Sequence, residues 1–290
     1  MQLTKTLGTS LIGALALGAL SGQALAQDKG SVNIAYVEWA DNIASSNVLR
    51  VVLEQQGYQV ETTSLSAAAM WQAVAFGDAD MMTAWLPTTH AQYYSQLEDQ
   101  VENLGPNFEG TRLGLVVPSY VEEVNSIEDL ASHADEFDDT ITGIDPGAGI
   151  MSITEQAMED YGLDDLELTT GSDATMTAAL GSAIANQQPI VVTGWTPHWM
   201  FSRWDLKYLD DPQNAFGEAE QIDTVVREGL ENDDPEAYCI FDNFRWSPDE
   251  MGAMMLLNEQ QGSDPYENAK QWVADHQALV DSWTEDCQQG

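Results

Sequence analysis

Apolar and polar residues alternate along this chain in two periods, and the period switches many times. A short apolar run at 32–37 predicts a β-strand, and residues 42–56 then carry Ile43, Val48, Leu49, Val52 and Leu53 on a helical stripe that stops at Gly57. Residues 58–62 read as the next strand, 66–76 as a helix with Ser66 as its N-cap, and 80–85 as a third strand. After Gly110 the pattern starts again, with strands predicted at 111–117, 141–144 and 190–193 and helices at 126–134, 152–161 and 174–186. The remainder reads as helical and acidic, at 225–231, 248–259 and 265–283. Strands alternating with helices predict an α/β fold with mostly parallel sheets. The two blocks predict two lobes, 27–112 with 209–290 and 113–208, joined by two or three crossing strands, the helical tail folding back onto the first lobe.

Four strands run into informative turns. Three reach a Trp, at 32–39 (VNIAYVEW), 81–87 (MMTAWLP) and 189–195 (PIVVTGW); the fourth, 141–150 (ITGIDPGAGI), is Gly-rich and opens a helix. Ligands of open α/β sheets sit beyond the carboxyl ends of the strands, so these turns are expected to converge on one crevice between the lobes. Trp71, Trp246, Trp272 and Trp283 fall within helical patterns and are expected in the core.

Composition narrows the compartment. Lys5, an apolar run over 7–20 and Ala24-Leu25-Ala26 form the three regions of a secretory signal peptide, with cleavage expected after Ala26. Removing 26 of 290 residues leaves 264, long enough for two ordinary lobes, and no later stretch approaches spanning length. The expected product is an exported, periplasmic monomer without membrane insertion. The 9 basic residues stand against 48 acidic ones, a formal charge of −39, which excludes nucleic acid and anionic lipid as partners. Self-repulsion on this scale points to high external salt, where a Debye length of about 3 Å silences it. Cys239 and Cys287 are the two cysteines, and in an exported chain they favour one disulfide, two buried thiols being the alternative. No metal or redox motif surrounds them, and no cofactor is expected.

The turns carry chemistry. A quaternary ammonium has no N–H to donate, so a protein holds it with the negative faces of aromatic rings, Trp best, each worth about 2 kcal/mol or more when desolvated. Trp39, Trp85 and Trp195 are the candidates. The turn 145–150 offers free N–H groups at a helix start, at Gly149 and Ile150, suited to a carboxylate. His90, five residues after Trp85, is the candidate second donor, and His198 competes for that role. Asp41 and Asp145 are secondary candidates for a hydroxyl. A betaine, cationic at one end and anionic at the other, fits this set. A secreted hydrolase using paired carboxylates is the rival class, but the chain shows no nucleophile elbow, metal-ligand spacing or P-loop.

With residues 84–90 (AWLPTTH), 143–150 (GIDPGAGI), 194–199 (GWTPHW) and 205–212 (DLKYLDDP), the chain resembles the glycine betaine binding proteins of osmoprotectant ABC importers over nearly its whole mature length. The resemblance implies a two-lobed periplasmic binding protein fold of type II, a Venus flytrap closing over its ligand. It also implies delivery to an ABC permease driven by a separate ATPase. Carried over by motif, Trp39, Trp85 and Trp195 form a prism around the trimethylammonium group, and Gly149, Ile150 and His90 meet the carboxylate. Choline, carnitine and dimethylsulfoniopropionate are the rival ligands. One departure is Asn42, which stands where many relatives carry a small residue.

Overall fold

Alternating strands and helices assemble into two five-stranded sheets. A computed structural model describes residues 29–289; the expected signal peptide lies outside the described residues. The first sheet is built from β1 (Ser31–Tyr36), β2 (Gln59–Ser64), β3 (Met81–Leu86) and β4 (Val101–Glu109), with α1 (Ala40–Gln56), α2 (Ala67–Ala75) and α3 (Ala91–Leu97) between them. Strand β1 pairs in parallel with both β2 and β3, which the intervening helices make possible. Helix α1 ends where Gly57, at φ 101, turns its N–H back to the carbonyls of Glu54 and Leu53, a conformation glycine adopts without strain.

The chain then enters the second sheet through β5 (Arg112–Pro118) and continues with β6 (Thr140–Thr142), α4 (Gly149–Tyr161), β7 (Glu167–Thr169), α5 (Asp173–Asn186), β8 (Val191–Thr196), α6 (Met200–Arg203) and β9 (Leu206–Tyr208), in spatial order β7-β6-β8-β5-β9. It returns through β10 (Gln221–Arg227), which inserts antiparallel between β3 and β4. Five helices close the chain: α7 (Leu230–Asp233), α8 (Pro235–Asn243), α9 (Pro248–Asn258), α10 (Pro265–Asp275) and α11 (Gln277–Thr284). They belong with the first sheet, α9 and α10 against α1 and α8 against β4 and β10. The two crossings lie side by side: Thr111 N–H donates to the Glu220 carbonyl at 3.3 Å, and Glu220 N–H donates to Thr111 Oγ1 at 3.1 Å.

Three predicted elements change character. Residues 225–231, which the sequence pattern predicts to be helical, form the end of β10 followed by the short α7. A short apolar run buried on both faces has no alternation, so its period does not separate strand from helix. Residues 126–134 form 3₁₀ turns, Ile127–Ser132 and Ala134–Phe137, opened by a capping box between Ser126 and Asp129. The stretch 265–283 breaks at His276 into α10 and α11. The periodicity predicts no element at β4, β7, β9, α6 or α8.

Trp71, Trp246, Trp272 and Trp283 are buried, the last three in one cluster with Phe244. Cys239 and Cys287 form a disulfide, Cα atoms 5.5 Å apart, that fastens α8 to the turn Glu285–Gln289. No helix among the described residues is long and apolar enough to cross a membrane.

Candidate ligand-binding site

The strand ends singled out above meet between the sheets. Trp39, one residue before α1, Trp85 near the end of β3 and Trp195 near the end of β8 line a small cavity together with His90, Asp41, Gly149 and Ile150. Each indole is at most 5% exposed. Trp85 and Trp195 are both followed two residues later by a cis proline, Pro87 and Pro197.

The rings are held at their polar edges. Trp39 Nε1 donates to Asp145 Oδ2 at 3.2 Å, and Trp85 Nε1 donates to Asp41 Oδ2 at 3.1 Å. Trp195 is braced edge-on by His198, ring centroids 4.7 Å apart. Asn42 fixes Asp41: its Nδ2 donates to Asp41 Oδ2 and to Thr83 Oγ1, both at 3.2 Å, while its Oδ1 accepts from Val37 N–H at 3.3 Å. The other carboxylate oxygen, Asp41 Oδ1, has no partner among the described residues, and complete burial raises the Asp41 pKa. The three indole faces make the cavity wall favourable to a cation, and a cation held there in turn favours the ionised form of Asp41 that burial disfavours.

A second part of the wall offers donors. Helix α4 starts without a side-chain cap, and the N–H groups of its first two residues, Gly149 and Ile150, take no acceptor among the described residues. His90 Nδ1 accepts from Trp85 N–H at 3.3 Å, so the proton of the neutral ring sits on Nε2, which is buried and unpartnered. Desolvation lowers the His90 pKa to about 4, which keeps the ring a neutral donor at physiological pH. Two main-chain amides and one imidazole N–H thus stand ready for an anionic group.

The sequence left His90 and His198 as alternatives, and the structure separates them. His90 is on the cavity wall, whereas His198 turns its Nε2 to Asp173 at 3.0 Å. Asp145 lies behind Trp39 rather than on the wall. Thr89, Leu113, Ile144 and Ala148 complete the lining and are not among the candidates that the sequence offers. Ile144 and Ala148 belong to the Gly-rich motif and were legible in it; Leu113 carried no signal. Among the described residues, the one group of His and carboxylates close enough to share a metal is Glu123, His133 and Glu136, and it does not line the cavity.

The lobes touch closely here. A Cβ on Gly149 would lie 1.9 Å from the Thr89 carbonyl oxygen across the interface, so only glycine permits this approach. Tyr93 Oη also crosses, donating to the Gly147 carbonyl at 2.7 Å.

Residues 30–275 match the family described as the substrate-binding domain of ABC-type glycine betaine transport systems. The chain belongs to this family. Its members are transport binding proteins rather than enzymes. The glycine betaine/carnitine transport binding protein GbuC of Listeria monocytogenes is 52% identical over 149 residues, covering 50% of this chain and 49% of that protein, so the match spans about half of this relative's length. Lactococcal OpuAC, solved closed and complexed with glycine betaine, superposes with a TM-score of 0.83 at 47% identity, covering 88% of this chain and 99% of that one. The glycine/betaine/L-proline-binding protein ProX from Borrelia burgdorferi gives a TM-score of 0.85 at 42% identity, covering 88% and 96%. The mixed α/β architecture with two sheets is that of two-lobed periplasmic binding proteins of this type.

Proposed function

We propose that this chain is an exported solute-binding protein that captures glycine betaine, or a close betaine, and delivers it to an ABC permease and its ATPase. The observation that carries this reading is a single cavity lined by three indoles and an unpaired carboxylate together with three unpaired N–H donors. Trp39, Trp85 and Trp195 surround the trimethylammonium group, with Asp41 adding a negative charge. Gly149 N–H, Ile150 N–H and His90 Nε2–H receive the carboxylate. Choline would fill the cationic part but leave the donors unpaired in a closed site, a loss of about 1 to 3 kcal/mol for each buried group. Carnitine and dimethylsulfoniopropionate share the required charges and differ in shape. The site works from the amino-terminal cleavage point after Ala26 onward, in a periplasmic monomer; lobes 27–112 with 209–290 and 113–208 close on the ligand by hinge motion.

Calorimetric titration with glycine betaine, choline, carnitine and dimethylsulfoniopropionate tests the reading. Glycine betaine is expected to bind and choline to bind far more weakly. Trp195→Ala is expected to weaken betaine binding at least tenfold in a protein that still melts cooperatively. Equal affinity for choline and glycine betaine, or an indifferent Trp195→Ala variant, overturns the assignment.

A further inference from the structure

We infer that Asp173 is a positioning residue that latches the lobes in the closed form by holding the amino-terminus of α1 from the opposite lobe. Helix α1 begins at Ala40 after Trp39, whose side chain provides no capping hydrogen bond. An uncapped helix start leaves free N–H groups and a partial positive charge. Asp173 supplies the missing acceptor across the interface: its Oδ2 receives Ala40 N–H at 3.1 Å in a buried contact.

Asp173 is free for this task because its own helix is already capped. Ser172 and Thr175 form a complete capping box at the start of α5. The carboxylate is also fixed in orientation. Met200 N–H donates to His198 Nδ1 at 3.1 Å, which puts the ring proton on Nε2, facing Asp173 Oδ1 at 3.0 Å. Asp173 and His198 are 5% and 4% exposed, so the assembly works in a water-poor setting where a charge-assisted hydrogen bond is strong.

Neither Asp173 nor Ala40 lines the ligand cavity, yet Ala40 sits between Trp39 and Asp41, which both do. Separating the lobes breaks the Asp173 contact, so it contributes to the closed state alone and sets how far the open-closed equilibrium must be driven by ligand. The inference rests on the proposed reading that the closed form retains the solute.

Two variants test the latch from opposite sides. Asp173→Asn removes the charge. Ala40→Pro removes only the donor: proline is favoured at the first position of a helix, and the Trp39 backbone, at φ −97 and ψ 148, already suits a residue before proline. Each variant is expected to weaken glycine betaine binding about tenfold through faster dissociation, with the ligand-free melting temperature of Ala40→Pro unchanged. The double variant is expected to lose no more than Asp173→Asn alone, because both substitutions act on the contact between Asp173 and Ala40. Wild-type affinity in Ala40→Pro, or additive losses in the double variant, overturns the latch. Should the wild-type protein bind no osmolyte, the ligand assignment fails separately, and small-angle scattering of the ligand-free proteins then decides. Both variants are expected to show a larger radius of gyration than the wild type, and equal radii overturn the latch.

Discussion

Two buried side chains on the cavity wall each keep one polar atom unpaired, an acceptor at Asp41 Oδ1 and a donor at His90 Nε2. Burying an unsatisfied polar group costs about 1 to 3 kcal/mol, so a ligand that satisfies both recovers energy at two points. A zwitterionic betaine meets the two differently, its carboxylate accepting the His90 Nε2–H hydrogen bond and its methylated nitrogen, which has no N–H, facing Asp41 Oδ1 through charge alone; a simple cation or anion serves only one. His90 also has a measurable signature. Its folded pKa, lowered by desolvation to about 4, lies below the ordinary value of 6.5, so between these values the unfolded state binds more protons. The stability contributed by the neutral ring is present above pH 6.5 and is lost as pH falls toward 4. Melting temperatures of the wild type and His90→Gln between pH 7.5 and 4.5 are expected to show the wild type losing ground to the variant on acidification, with Asp41 common to both. A pH-independent difference shows that His90 is not held neutral.

At the scale of elements, the turn between β3 and α3 depends on the second crossing. Glu220 Oε2 accepts the N–H groups of Thr88 at 2.8 Å and Thr89 at 3.0 Å, and its Oε1 accepts the Thr89 hydroxyl. One carboxylate on the crossing segment just before β10 therefore holds the turn that presents His90 to the cavity and brings the Thr89 carbonyl against Gly149. Glu220→Gln replaces one acceptor oxygen by an N–H donor facing other donors. Titration of this variant is expected to show glycine betaine affinity reduced about tenfold, and unchanged affinity separates the crossing from the site. Glu220 carried no sequence signal, being one acid among 48. Trp85 and His90, five residues apart in one motif, did.

For the whole molecule, charge is the dominant global term. With 48 acidic and 9 basic residues, long-range repulsion opposes compaction wherever screening is weak. Several cations are already committed to local ion pairs, Lys29 with Glu236, Arg50 with Glu54, Arg227 with Asp80 and Asp233, and Lys270 with Glu267. These leave the excess negative charge unanswered. The melting temperature is expected to rise by several degrees between 0.05 M and 1 M salt, with NaCl and KCl acting alike at equal ionic strength, since screening depends on concentration. A flat profile means that the acidic surface is solvated without straining the fold.

The amino-acid sequence by itself determined the α/β alternation, the strand ends that carry the indoles, the Gly-rich helix start and the family, because each is written in a contiguous stretch whose period or motif is local. Tertiary structure alone decided the rest. It inserted β10 between β3 and β4, put His90 rather than His198 on the cavity wall, and brought Asp173 to Ala40 across 133 positions of chain. Those outcomes depend on which buried donor meets which acceptor once the chain has folded back on itself, and contacts between distant residues leave no periodic trace along it.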